Sequence, residues 1–256
     1  MRVVFVHGFL GSSLNWGPVI HKLRPLLPVG TELSAVDLLG HGVRSQGTGP
    51  LTLDALARDV LSQIPEGPFL GVGHSFGLRP LLRISKWEPS RLRGIVAEDS
   101  SPVLSDSGFR EIRTILEAVP VPFKGRPEAR EFLESFFGPG SRMSRFLLAQ
   151  IRERPEGHTW RFDRQGLQQL LGESHQESLW TEWADFEGPI SMILWGNSSF
   201  VSSERRQECL IKRGQKPLWI DQIPSSGHWV HADQPDHFVA KLAEHLTKMI
   251  LTKWSP

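Results

Sequence analysis

The chain reads as an α/β fold: a mostly parallel sheet of about six strands, flanked by helices and interrupted once by a helical insertion. Six short runs carry the sheet: Val3–Val6, Glu32–Asp37, Phe69–Gly73, Gly94–Glu98, Ile190–Trp195 and Leu218–Asp221. Each is mostly apolar and bounded by Gly, Pro or polar turn residues, the pattern of a buried strand. Helical patterns stand between most of them. Strands that alternate with helices imply crossover connections and a parallel sheet covered on both faces.

Two helices are the most plainly written. Over Thr52–Ile64, residues Leu53, Leu56, Ala57, Val60, Leu61 and Ile64 fall on one face, as an amphipathic helix requires. Asp236–Ile250 repeats the pattern with Phe238, Val239, Leu242, Leu246 and Ile250. From Pro102 to Glu187 the rhythm breaks. No convincing strand is found there, only helix-like segments at Arg110–Val119, Pro127–Phe137 and Met143–Arg152. Roughly 85 residues is far beyond the ~10–12 that a crossover needs as a minimum. The segment 102–187 therefore reads as an inserted helical cap over the C-terminal ends of the strands, where such sheets place their sites. Segments 1–101 and 188–256 form the core domain in this reading. No internal repeat or low-complexity linker is visible.

Composition narrows the function classes. Hydrophobic content of 39% and charged content of 22% suit a globular protein, and a net charge of +1 gives no footprint for nucleic acid. The single cysteine, Cys209, has no internal disulfide partner, and metal sites usually draw on clusters of Cys or His. No window approaches the ~18 apolar residues of a membrane span. The N-terminal apolar stretch is too short for a signal sequence and lacks a small-residue cleavage site. The expectation is a cytoplasmic, reduced protein, a monomer or weak homodimer.

Chemistry enters at Gly73-His74-Ser75-Phe76-Gly77, a G-x-S-x-G match. Alone the pattern is weak. Here it follows an apolar strand and precedes the helix-compatible Leu78–Trp87, the strand-to-helix setting of a nucleophile elbow. His7-Gly8-Phe9 follows the first strand and suits a loop that supplies an oxyanion-hole amide from Phe9, with the second amide from Phe76. After the last strand comes Gly227-His228, placed to reach Ser75 as general base; His231 competes for that role. The acid is harder to place. After the penultimate strand stands Trp195-Gly196-Asn197-Ser198-Ser199-Phe200-Val201, which contains no carboxylate. The preceding strand ends Ala97-Glu98-Asp99-Ser100-Ser101-Pro102. Asp99 lies on the same rim as Ser75 and keeps the chain order Ser, acid, His. Glu98 is the alternative, because neighbours in a strand point to opposite faces.

Together these residues resemble the α/β-hydrolase superfamily, and more narrowly the YbfF-type bacterial esterases and their mitochondrial abhydrolase-domain relatives. The likeness rests on Gly94–Pro102 with its Asp-x-x-Pro ending, on Gly196–Val201, and on Gly227-His228-Trp229-Val230-His231-Ala232-Asp233. It implies an acid after the earlier strand, in keeping with Asp99, and Ser198 close to the acid–histidine pair. Phe200, Trp229 and His74 are taken with Ser198 as near the triad or substrate-binding. Members of the superfamily commonly begin with two extra antiparallel strands, whereas this chain opens in the strand before His7, hence six strands. Where the branch has Gly and Lys after the elbow, this chain has Leu78 and Arg79.

The resemblance implies hydrolysis of a small-molecule carboxylic ester or thioester, acyl-CoA among the candidates, through an acyl-enzyme on Ser75, with no metal or organic cofactor. Arginines of the cap, among them Arg110, Arg113, Arg126, Arg130, Arg142, Arg145, Arg152 and Arg154, are either solvated helix faces or a site for a carrier phosphate. Two rivals stand beside this reading. The chain also resembles the lyase that eliminates pyruvate to make a menaquinone precursor, through His7-Gly8-Phe9 and Asp37-Leu38-Leu39-Gly40-His41-Gly42; that lyase keeps its acid after the penultimate strand. The other rival is a catalytically silent ligand-binding scaffold.

Overall fold

The structure is a computed structural model and describes residues 1–45 and 50–252; the ends of the expected core segment 188–256 beyond 252 lie outside the described residues. In chain order the strands are β1 (Arg2–Val6), β2 (Glu32–Val36), β3 (Phe69–His74), β4 (Leu92–Glu98), β5 (Ile151–Arg154), β6 (Gly157–Trp160), β7 (Ile190–Trp195) and β8 (Leu218–Ile223). Six of them form one sheet in the order β2-β1-β3-β4-β7-β8, with every neighbouring pair parallel. After β2 the chain returns to the other side of β1 to lay down β3. The strand order thus reverses between β1 and β3, and the loops leaving them diverge to open a crevice at the switch point.

Side chains alternate across the strands, so the sheet builds a core on each face. Val4, Val6 and Phe69 join one apolar cluster; Val3, Phe5, Leu70 and Val72 join the other. The helices α1 (Gly17–Leu23), α2 (Leu53–Ser62) and α3 (Leu78–Trp87) follow β1, the β2 loop and β3 respectively. Helix α2 starts where Thr52 accepts the Ala55 N–H at 3.1 Å, an N-cap that satisfies one of the free donors of the first turn. It buries Leu53, Leu56, Ala57 and Val60 on the first cluster.

Between β4 and β7 lie α4 (Asp106–Ala118), α5 (Arg126–Phe137), α6 (Arg142–Ala149), α7 (Arg164–Gln176) and α8 (Trp180–Asp185). This insertion differs from the expected strand-free segment. The helix expected over Met143–Arg152 stops at Ala149, and the chain folds into the antiparallel hairpin β5–β6. The hairpin left little trace in the sequence, since each strand has four residues and one buried side chain, Ile151 and Trp160. Those two face each other across the ladder. Gly157, at φ 123°, supplies the turn, a conformation that costs glycine nothing.

The departure at Leu78-Arg79 has a structural explanation. Arg79 is fully buried in the first turn of α3 and donates to the Glu177 carbonyl at 3.0 Å and the Pro102 carbonyl at 3.4 Å. It clamps the helix after Ser75 to both ends of the insertion. Burial lowers its pKa to about 10 despite the Glu177 carboxylate beside it, so it stays charged. Beyond α8 the chain adds α9 (Ser203–Arg213), α10 (Val230–Asp233) and α11 (Pro235–Leu251). The last packs Phe238, Leu242 and Leu246 on the second cluster. Among the described residues, no helix is long and apolar enough to cross a membrane.

Candidate active site

Four loops meet above the sheet, and each holds one non-glycine residue in the left-handed region. Leu10 (φ 62°) follows β1, Ser75 (φ 50°) follows β3, Asp99 (φ 42°) follows β4 and Ser225 (φ 58°) follows β8. These four are the full set among the described residues. A left-handed non-glycine residue is costly, by about 1–3 kcal/mol, and persists only where its surroundings over-determine it. Strain therefore gathers where the candidate residues stand.

Ser75 turns the chain from β3 into α3. The flanking glycines are demanded by space: a Cβ on Gly77 would lie 2.3 Å from the Val6 carbonyl oxygen, and one on Gly73 2.7 Å from the Gly77 backbone. Only with both positions bare does the elbow close onto β1. Ser100 Oγ donates to the Ser75 carbonyl at 2.6 Å and fixes the turn from behind.

The loop after β1 is held by buried histidines. His7 Nε2 accepts the Leu38 N–H at 3.0 Å while Nδ1 donates to the Gly8 carbonyl at 2.8 Å. His41 Nε2 accepts the Leu10 N–H at 3.2 Å while Nδ1 donates to the Leu39 carbonyl. Burial lowers the pKa of both rings, which keeps each neutral with one donor and one acceptor nitrogen. Asp37 adds two acceptors, for the Ser13 and Val43 N–H groups. Gly11 N–H goes to Gly8 O, and the Phe9 N–H takes no protein acceptor among the described residues. Phe76 is the second residue of a 3₁₀ turn, where the first N–H groups have no partner within the turn. The Phe9 and Phe76 rings pack edge to face at 4.8 Å.

His228 Nδ1 lies 2.7 Å from Asp99 Oδ2. The Asp99 side chain is completely buried and tied to β7, since its N–H donates to Ile193 O at 3.0 Å and its Oδ1 accepts the Trp195 N–H at 3.3 Å. Glu98 points the other way. Its carboxylate accepts the His231 N–H at 2.7 Å and engages His231 Nδ1 at 2.8 and 2.9 Å. Between the two histidines sits His74, whose Nε2 donates to the His228 carbonyl at 3.0 Å. Burial, with His228 and His231 beside it, holds its pKa well below the ordinary value. His74, Glu98 and His231 also form the one buried cluster with metal-ligand spacing among the described residues. Within it the Glu98 carboxylate already accepts from His231, and His74 Nε2 donates to the His228 carbonyl.

A profile of the alpha/beta hydrolase family matches residues 3–242. The chain belongs to that family. Two curated relatives are the sn-1-specific diacylglycerol lipase ABHD11 of Mus musculus, 26% identical over 95% of this chain and 80% of that protein, and the esterase YbfF of Escherichia coli, 24% identical over 95% of this chain and 92% of its own length. Among solved structures, E-2-(acetamidomethylene)succinate hydrolase superposes with a TM-score of 0.80 over 96% of this chain and 91% of that one, at 18% identity, a likeness of fold.

In this alpha/beta hydrolase, Ser75 and His228 line one cavity, open at its mouth, together with Phe9, Phe76, His74, Phe200 and Trp229. His231 lines only a small space behind the β1 loop. Phe200 stacks on His228 with ring centres 3.8 Å apart. Ser198 sits one step back: its hydroxyl accepts the Phe200 and Val201 N–H groups at 3.1 and 2.9 Å, fixing the loop that presents Phe200. No arginine of the segment 102–187 is among the residues lining the cavity; Arg142 pairs with Asp233 and Arg152 with Ser45. One face of α4 was missed from the sequence. Gly108, Glu111 and Ile112, three and four residues apart, all border the cavity. The i, i+3, i+4 spacing was legible, but nothing local says which face of an inserted helix meets the core.

Proposed function

We propose that this protein is a serine hydrolase that cleaves a carboxylic ester or thioester through an acyl-enzyme on Ser75, with His228 as general base and Asp99 as its acid. The observation that carries the reading is the 2.7 Å contact between Asp99 Oδ2 and His228 Nδ1 at the edge of the cavity that also exposes Ser75. Asp99 accepts a hydrogen bond from Nδ1–H, which leaves Nε2 free to take the Ser75 proton as the hydroxyl attacks the acyl carbon. The Phe9 and Phe76 amides hold the developing oxyanion. His228 then protonates the departing alcohol or thiol, and water, deprotonated in turn by His228, releases the acid and restores Ser75. The segment 102–187 serves as a lid on a core of 1–101 and 188–256. The ester and lipase activities named for its relatives support an ester substrate.

Apolar lining by Leu104, Phe109, Ile112, Met143 and Leu171 supports an acyl chain in the cavity. The rival pyruvate-eliminating lyase would have to seat carboxylates, yet among the described residues no Arg or Lys borders the cavity and its one acidic side chain is Glu111. Steady-state hydrolysis of p-nitrophenyl esters from acetate to octanoate tests the proposal. Turnover that vanishes in Ser75→Ala supports it; turnover unchanged by that substitution would remove Ser75 from the reaction.

A further inference from the structure

His74 adjoins Ser75 in the chain and holds His228 by a hydrogen bond. It is the last residue of β3 and is buried, and its Nε2–H donates to the His228 carbonyl at 3.0 Å. That carbonyl lies in the loop between β8 and α10, and among the described residues no backbone N–H reaches it. A buried side chain at the end of a central strand thus supplies the partner that a strand or helix would otherwise provide.

The His74 ring is itself confined. Gly8 of the β1 loop stands so close that a Cβ there would lie 2.7 Å from Nδ1. The His228 and His231 rings pack against it with centres 4.8 and 5.2 Å away, and His231 is gripped in turn by Glu98 at the end of β4. Asp99 holds His228 through one ring nitrogen, but where the other nitrogen falls depends also on where the backbone of His228 sits. We propose that His74 is a positioning residue, whose bond to the His228 carbonyl registers the base against the nucleophile next to it in the chain. The inference rests on the roles given to Ser75, His228 and Asp99 above. Burial keeps the His74 ring neutral, so it sets no positive charge beside His228 when that ring takes the serine proton.

Hydrolysis of p-nitrophenyl butyrate by the full chain tests it, with far-UV circular dichroism as the check on folding. His74→Leu and His74→Phe both remove the N–H, so one of them failing to fold leaves the comparison standing. Either should lower kcat by about 30–100-fold with KM changed less than about threefold, the scale of a reacting group misplaced by about 1 Å. His74→Gln, which can still donate to the carbonyl, should recover kcat to within about fivefold of the wild type. In a His228→Ala background His74→Leu should change the residual rate less than about twofold, because residues that act as one unit lose their effect together. A folded apolar variant with wild-type kcat, a His74→Gln as slow as His74→Leu, or an effect that persists without His228 would overturn the proposal. If wild-type hydrolysis does not depend on Ser75, the underlying hydrolase reading fails instead, and the positioning role falls with it.

Discussion

Glu98 and Asp99 are consecutive at the end of β4, yet each carboxylate holds a different histidine of one loop. Asp99 binds His228 Nδ1 at 2.7 Å and Glu98 binds His231 Nδ1 at 2.8 Å. Alternation along a strand sends neighbours to opposite faces, and the histidines are three residues apart, His228 just before α10 and His231 within its first turn. The two pairs grip that turn from both sides, but only His228 borders the cavity with Ser75.

Asp99 should therefore govern chemistry. Asp99→Asn presents an amide where the imidazole needs an acceptor, which favours the wrong tautomer; kcat/KM should fall by about 1,000- to 10,000-fold. Glu98→Gln should lower it less than about tenfold. Parallel measurement on one p-nitrophenyl ester decides between the two, and the reverse order would exchange their roles.

Stability should show the opposite emphasis. Glu98 is buried and accepts from both the backbone and the ring of His231. Glu98→Ala leaves those donors buried without an acceptor, a loss of about 1–3 kcal/mol. Urea denaturation should show that loss as a lower midpoint at unchanged slope.

Gly77 offers a sharper structural test. A methyl there meets the Val6 carbonyl at 2.3 Å, whereas one at Gly17 meets nothing within 4 Å. Gly77→Ala should cost about 3 kcal/mol or more, because backbone on both sides must move. Gly17→Ala, at a right-handed helical φ of −50°, should be neutral or stabilising by up to about 1 kcal/mol. Thermal melts of the pair suffice to compare them.

Acid should weaken the fold through four histidines. Burial lowers the pKa of His7, His41, His74 and His245 below the ordinary 6.5. Above pH 6.5 both folded and unfolded forms are neutral at these rings, so they add no pH dependence. As pH falls below 6.5 the unfolded chain binds protons that the folded one does not, and stability drops by up to about 1.4 kcal/mol per pH unit for each ring. The fall ends once pH is below the folded values. The Tm should be level between pH 7 and 8 and decline below 6.5; a Tm that holds at pH 5.5 would contradict the neutral-histidine account.

The sheet was legible because its strands are short apolar runs with turn residues at each end, and all six central ones stand where that pattern lies. The hairpin β5–β6 was not, because Ile151 and Trp160 are its only buried side chains and two residues make no period. At the site, G-x-S-x-G marks a local turn whose geometry is written in the motif itself. The choice between Glu98 and Asp99 depends on partners more than 120 residues away in sequence, and no local pattern contains that. Similarly, His41 and Asp37 reveal their hold on the β1 loop only once β2 lies against β1.

Covalent labelling by a fluorophosphonate tests the central claim, that Ser75 is a nucleophile activated by His228 and Asp99, most directly. Wild-type protein should take one label on the peptide containing Ser75, Ser75→Ala none, and Asp99→Asn should label far more slowly than Glu98→Gln. A folded wild-type protein that takes no label, or that labels equally well in Ser75→Ala, would contradict the claim.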